Sequence, residues 1–219
     1  MLVKDLSFEN LPQIKLSDKV GYVLELLYQF QIQALPLTDD GKFAGIISEE
    51  ELLSADDHLP VSDVQKNSSR VAVSENDHFL KAVMIAASSQ LPFVPVTDVE
   101  NKLLAVVTTD RLLSAMSSFM QLDEPGAIIV LEQDAIQYSF SEICRLVESN
   151  DAQITQLNTR SDIETQKVSI TIKINRQEVS DLVATFQRHD FNVKYYFGEE
   201  LYANELKNNY DNLIHYLNI

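Results

Sequence analysis

Gly45-Ile46-Ile47-Ser48-Glu49-Glu50-Glu51-Leu52-Leu53 decides how this chain is read, because it returns 60 residues later as Ala105-Val106-Val107-Thr108-Thr109-Asp110-Arg111-Leu112-Leu113. Both copies read as a buried apolar strand, a hydroxyl residue, and a helix that opens on acid and carries two leucines. The hydroxyl stands where an N-cap stands, accepting from a free N–H of the first turn. A helix start also gathers unpaired N–H groups at the positive end of the helix dipole, which suits an anion such as phosphate.

The repetition reaches beyond the phrase. Val3-Lys4-Asp5-Leu6 is echoed by Val61-Ser62-Asp63-Val64, Ile14-Lys15-Leu16-Ser17 by Val71-Ala72-Val73-Ser74, and Leu35-Pro36-Leu37-Thr38-Asp39 by Val94-Pro95-Val96-Thr97-Asp98. The offsets stay between 57 and 60 residues, in the same internal order. A fixed period of this length marks a duplicated structural unit. Within the first unit, Val20, Val23, Leu24 and Leu27 predict a helix from Asp18 to about Phe30. Leu35-Pro36-Leu37 is expected to be an edge strand or a strand start, because proline cannot donate to a ladder. Asp39-Asp40-Gly41-Lys42 is a hairpin turn. A strand over Phe43–Ile47 and a helix over Glu49–Ala55 complete the unit, and residues 1–18 form a lead-in helix and loop.

The second half has another order. Gln121 to Gly126 reads as a linker. Strands are expected over Ala127–Leu131, Ala152–Leu157, Val168–Ile174 and Phe191–Phe197, and the third of these alternates apolar and polar residues. Helical faces come from Phe140, Ile143, Cys144 and Val147, and from Val179, Leu182, Val183 and Phe186. The order is β-α-β-β-α-β, the ferredoxin-like arrangement. In residues 199–219, Leu201, Tyr202, Leu206, Tyr210, Leu213, Ile214 and Leu217 recur at helical intervals, predicting an amphipathic helix.

Composition excludes several classes. The net charge of −16 disfavours nucleic-acid binding, which needs clustered Lys and Arg. Cys144 is the single cysteine, so no intrachain disulfide forms. No apolar run approaches a membrane span, and the N-terminus lacks a signal pattern, so a cytoplasmic location is expected. The four histidines are far apart, which argues against a metal site. No Gly-x-Ser-x-Gly, P-loop or dinucleotide fingerprint is present, and the chain is expected not to be an enzyme.

The repeated, ordered set of segments resembles a tandem pair of CBS domains, the Bateman module built from β-α-β-β-α units, with repeat 1 over residues 1–60 and repeat 2 over 61–122. The following domain, 126–198, opens on Pro125-Gly126 and resembles an ACT domain, with the helix of 199–219 after it. The two modules in this order are similar to the acetoin-utilisation regulatory type. The overall expectation is therefore an α+β protein of tandem CBS domains, an ACT-like domain and a C-terminal helix.

The CBS resemblance implies an adenosine-containing ligand. In the first repeat it implies Ser48 for phosphate and Glu51 for the ribose hydroxyls, with Ile14, Leu35 and Ile46 around the base. In the second it implies Thr108, with Val71, Val94 and Val106 around the base. There the acid position holds Arg111, and Asp110 comes one residue early, turned by about 100° on a helix. Three carboxylates at Glu49-Glu50-Glu51 would repel a polyphosphate. Adenosine, AMP or an S-adenosyl compound is the expected ligand, and no cofactor is essential. The ACT resemblance implies amino-acid binding or pairing between chains, but Gln133-Asp134-Ala135-Ile136 stands where many such domains carry a loop glycine. The resemblances together imply a regulatory homodimer with an unidentified protein target. The rival reading is a structural interaction module with empty clefts.

Overall fold

Strand and helix alternate in the first 119 residues because the apolar periodicity switches between two and about 3.6. In the computed structural model, which describes residues 1–65, 70–89 and 91–198, a 3-10 turn at Val3–Asp5 is followed by β1 (Ile14–Lys15), α1 (Val20–Phe30), β2 (Ala34–Asp39), β3 (Lys42–Ser48) and α2 (Glu49–Leu52). The order then repeats as α3 (Val61–Val64), β4 (Val73–Ser74), α4 (Phe79–Ser89), β5 (Phe93–Thr97), β6 (Leu103–Thr108) and α5 (Thr109–Phe119). Each repeat makes a three-stranded mixed sheet, β1-β2-β3 and β4-β5-β6. The chain divides into two units, Met1–Met116 and Ser117–Ile219.

Three local expectations change. Pro36 and Pro95 sit in the central strands β2 and β5, not at an edge. The ladder tolerates them because β1 and β4 are only two residues long and pair with Leu37-Thr38 and Val96-Thr97, just past each proline. Helix α1 starts at Val20, not at Asp18, and the equivalent α4 starts at Phe79, two residues past Asp77. Those aspartates instead turn back: Asp18 Oδ2 accepts from Lys15 N at 2.8 Å and Asp77 Oδ2 from Ser74 N at 2.9 Å, closing each strand-to-helix turn. Helix α2 ends at Leu52 rather than running to Ala55. The Asp-Gly hairpin is as expected, with Asp40 at φ 46° and Gly41 at φ 79°, both left-handed.

The repeats exchange their lead-in segments. Val3 N donates to Asp77 O at 2.9 Å and Lys4 N to Glu75 O at 2.9 Å, so the first lead-in packs on the second repeat. Val61 N donates to Asp18 O at 2.8 Å and Ser62 N to Leu16 O at 3.0 Å, so the second lead-in packs on the first. Val3 is accordingly buried among Val73, Val94 and Val107, and Val61 among Ile14, Leu35 and Ile47. The hairpin tips meet with the same reciprocity: Phe43 N donates to Asn101 O and Leu103 N to Gly41 O. Behind them Ala34, Phe43 and Ile46 pack on Phe93, Leu103 and Val106, a shared core between the sheets. Equivalent residues thus make equivalent contacts in both directions, the signature of a two-fold relation between the repeats.

The second unit contains β7 (Ala127–Asp134), α6 (Phe140–Glu148), β8 (Ile154–Asp162), β9 (Lys167–Ile174), α7 (Ser180–Arg188) and β10 (Asn192–Phe197). The four strands form an antiparallel sheet in the order β10-β7-β9-β8. Ile129, Leu131, Ile170 and Ile172 face both helices and bury Ile143, Leu146, Leu182 and Phe186. Cys144, expected on the apolar face of α6, is only partly buried and lies outside that core. Gly126 lies flush against the Ile174 carbonyl, where a side chain would collide. The helix expected over 199–219 lies outside the described residues.

Candidate functional site

The two phrases occupy equivalent places. Ser48 ends β3 opposite Ala34, and Thr108 ends β6 opposite Phe93. The next N–H in each copy is anchored across the sheet, Glu49 N to Gln33 O at 2.8 Å and Thr109 N to Pro92 O at 3.0 Å. Beyond that point they diverge. Glu51 Oε2 accepts from Ser48 N at 2.9 Å and from Ser48 Oγ at 2.8 Å, while Ser48 Oγ accepts from Glu51 N at 3.4 Å. This is a capping box, in which each residue satisfies the other.

The second copy lacks this closure. Arg111 replaces the glutamate, and its Nε lies 3.6 Å from Glu9 Oε1, both side chains about half exposed at 54% and 43%. Glu9 is placed there by its backbone, which pairs with Val106 in both directions at 2.9 and 3.0 Å. Asp110 is exposed in the first turn of α5. The Thr108 hydroxyl is buried and has no hydrogen-bond partner among the described residues. Sequence reading missed Glu9, because its lead-in segment has no local pattern that announces a partner about 100 residues away.

Residues 3–58 match the CBS domain family. A CBS domain pair/ACT domain protein from Thermotoga maritima is 27% identical, the match covering 54% of this chain and 98% of that one with a TM-score of 0.50. The first unit has the fold of a CBS domain pair. CBS domains of a transcriptional regulator from Streptococcus pneumoniae are 17% identical over 52% of this chain and 98% of theirs, with a TM-score of 0.47. CBSX2, crystallised in complex with AMP, is 22% identical over 56% of this chain and 98% of its own, with a TM-score of 0.47.

Within the CBS pair, the apolar residues implied for each base do not converge. Ile14 and Leu35 belong to the core between the first sheet and α1, whereas Ile46 faces the second repeat. Val94 likewise lies in the core of the second repeat and Val106 in the shared core, while Val71 is 41% exposed. Alternation along a strand places Leu35 and Ile46 on opposite faces, and cross-strand partners confirm it, since Leu35 pairs with Ile47 and Ile46 with Pro36. A cleft of about 610 Å³ in the pair lies instead at the ends of β1 and β2, lined by Lys15, Ser17, Thr38, Asp39, Asp40 and Ser62.

In the second unit, the segment that lacks the loop glycine borders a cleft of about 760 Å³ between Asp134–Gln137 and the β8–β9 turn. Ile136 and Ile163 stand exposed at its rim. Asp162, in that turn, is held below the usual carboxylate range by the Thr165 and Glu164 N–H groups, Thr165 first. No group of three His, Cys, Asp or Glu side chains able to hold a metal ion occurs among the described residues. None of the helices among them is long and apolar enough to cross a membrane.

Proposed function

We propose that this is a non-enzymatic regulatory protein whose CBS pair takes an adenosine-containing ligand of low charge, such as adenosine, AMP or an S-adenosyl compound, at the second phrase. The observation that carries the reading is the buried Thr108 hydroxyl, which has no hydrogen-bond partner among the described residues. A buried polar group without a partner is costly, and a bound phosphate or ribose oxygen would relieve it. The equivalent Ser48 is already engaged with Glu51, which supports placing the ligand at the second phrase rather than the first. Glu49 and Glu50 keep the first phrase unfavourable for polyphosphates. The ligand would act by binding one arrangement of the protein better than another and shifting the population toward it. The β-α-β-β-α-β order of the second unit supports an ACT-like domain, and a homodimer is the assembly on which the ligand would act.

A thermal-shift screen against adenosine, AMP, ADP, ATP and S-adenosylmethionine tests this. A ligand at 100 times its Kd stabilises the folded state by about 2.7 kcal/mol. Thr108→Val should abolish the shift, whereas Glu51→Ala should lower the starting melting temperature and keep the shift. No shift with any of these ligands at millimolar concentration would refute the sensor reading. The second reading, a structural interaction module, is favoured by the closed Ser48–Glu51 box and by the Arg111–Glu9 pair.

A further inference from the structure

Arg111 breaks the correspondence between the two phrases. In the first, the third residue past the hydroxyl is Glu51, and the first turn of α2 carries the carboxylates of Glu49, Glu50 and Glu51. In the second that position is a guanidinium, beside one acid, Asp110, in the first turn of α5. The fold makes the two places equivalent and the sequence reverses their charge. Backbone bonds bring Glu9 to the reversed one. It pairs with Val106 in both directions, along the edge of β6 that β5 leaves free. Val106 and Thr108, two residues apart on a strand, point to the same face. Glu9 stands opposite Val106 and is therefore the diagonal neighbour of Thr108, at about 7–8 Å, a span that long side chains bridge. The Glu9 carboxylate, the Arg111 guanidinium and the Thr108 hydroxyl thus gather at one place.

Given the reading above that the ligand sits at the second phrase, we propose that Arg111 sets that ligand's charge, selecting an adenosine compound with a single phosphate, and that Glu9 is the internal carboxylate this phosphate displaces. The Arg111–Glu9 contact is one that a phosphate can replace. At 3.6 Å it is an ion pair and not a hydrogen bond, and a pair exposed to this degree is weak. A phosphomonoester brings a charge of about −1.5 to −2 near pH 7 and three acceptor oxygens. Two of them suit the planar fork of a guanidinium, and the third can accept from the Thr108 hydroxyl, which has no partner among the described residues. Adenosine offers neither the charge nor the paired oxygens. A sulfonium, as in S-adenosylmethionine, meets Arg111 as a like charge. A triphosphate exceeds what one guanidinium balances, with Asp110 in the same turn and the Glu9 carboxylate close by.

Binding of adenosine, AMP and S-adenosylmethionine is titrated in the intact chain and in its Arg111→Gln and Glu9→Gln variants. AMP should bind the parent on the order of tenfold more tightly than adenosine, and S-adenosylmethionine more weakly than either. Arg111→Gln should bring AMP down to the affinity of adenosine while adenosine itself is unchanged. Glu9→Gln should tighten AMP several-fold and leave adenosine unchanged, whereas a purely structural Glu9 would move both ligands together. Equal affinity of the parent for AMP and adenosine would overturn the proposal and leave the ligand site standing, as would an AMP preference that survives Arg111→Gln. An AMP affinity that Glu9→Gln does not raise would likewise overturn it. No binding of any of the three at millimolar concentration, in the parent and in Glu9→Gln, would overturn the ligand site itself and the proposal with it.

Discussion

Replacing Arg111 with glutamate should rebuild in the second repeat the capping box that the first already has. The perturbation supplies a carboxylate at the position from which Glu51 Oε2 accepts the Ser48 N–H and hydroxyl at 2.9 and 2.8 Å. Three effects compete. Satisfying the buried Thr108 hydroxyl removes a penalty of about 1–3 kcal/mol. Exchanging a cation for an anion in the first turn of α5 adds about 0.3–1 kcal/mol through the helix dipole. Losing the half-exposed Arg111–Glu9 pair forfeits at most about 1 kcal/mol. The net expectation is a gain of about 1–2 kcal/mol, which for a chain of this size raises the melting temperature by about 2–8 °C. Calorimetry should show the gain in the transition of the CBS pair, and Thr108→Val in the same background should erase it. The reasoning is refuted if Arg111→Glu is no more stable than Arg111→Gln, or if its gain survives Thr108→Val.

Two further outcomes follow from the second unit. Glu132 is held below the usual carboxylate range by Lys167 first and Lys194 second, so its contribution to stability is present above that range and fades as the pH falls through the lowered value. Lys167 is raised by Glu132, so its share is complete below the usual lysine range and lost as the pH rises through the raised value. Urea titrations across pH should therefore show a flatter profile at both extremes for Glu132→Gln than for the parent. Lys173, though charged, is buried against the Gln121 and Glu124 carbonyls. Lys173→Met should release this linker, and limited proteolysis should cut within residues 121–126 several-fold faster while the sheet remains folded.

Much of the architecture was legible because its signals are local and said twice. The two phrases, the Asp-Gly hairpin and the alternation of Val168 to Ile174 each declare an element from neighbouring residues alone. The errors came where a local rule met a distant partner. Pro36 read as an edge or a strand start, yet its strand is central because β1 pairs beside it, and the proline is tolerated there because β1 is too short to reach it. Asp18, by contrast, was missed locally: it looked like a helix start, but its carboxylate closes a turn by accepting from Lys15 N three residues earlier, as Asp77 does from Ser74 N.

Sequence by itself determined the duplicated unit, the β-α-β-β-α-β order of the second half and the placement of a hydroxyl at the head of each phrase's helix. Those properties depend on period, turn chemistry and capping, which act over a few residues. Tertiary structure alone decided that the lead-in segments change places, that Ile46 and Val106 fill a core shared by both sheets, and that Arg111 answers to Glu9. Which hydroxyl is spent is a local matter, because Ser48 finds Glu51 three residues on, where the second copy has Arg111. A hydrogen bond is settled by what lies within about 3 Å, and only the folded chain decided that no other described residue comes that close to the Thr108 hydroxyl.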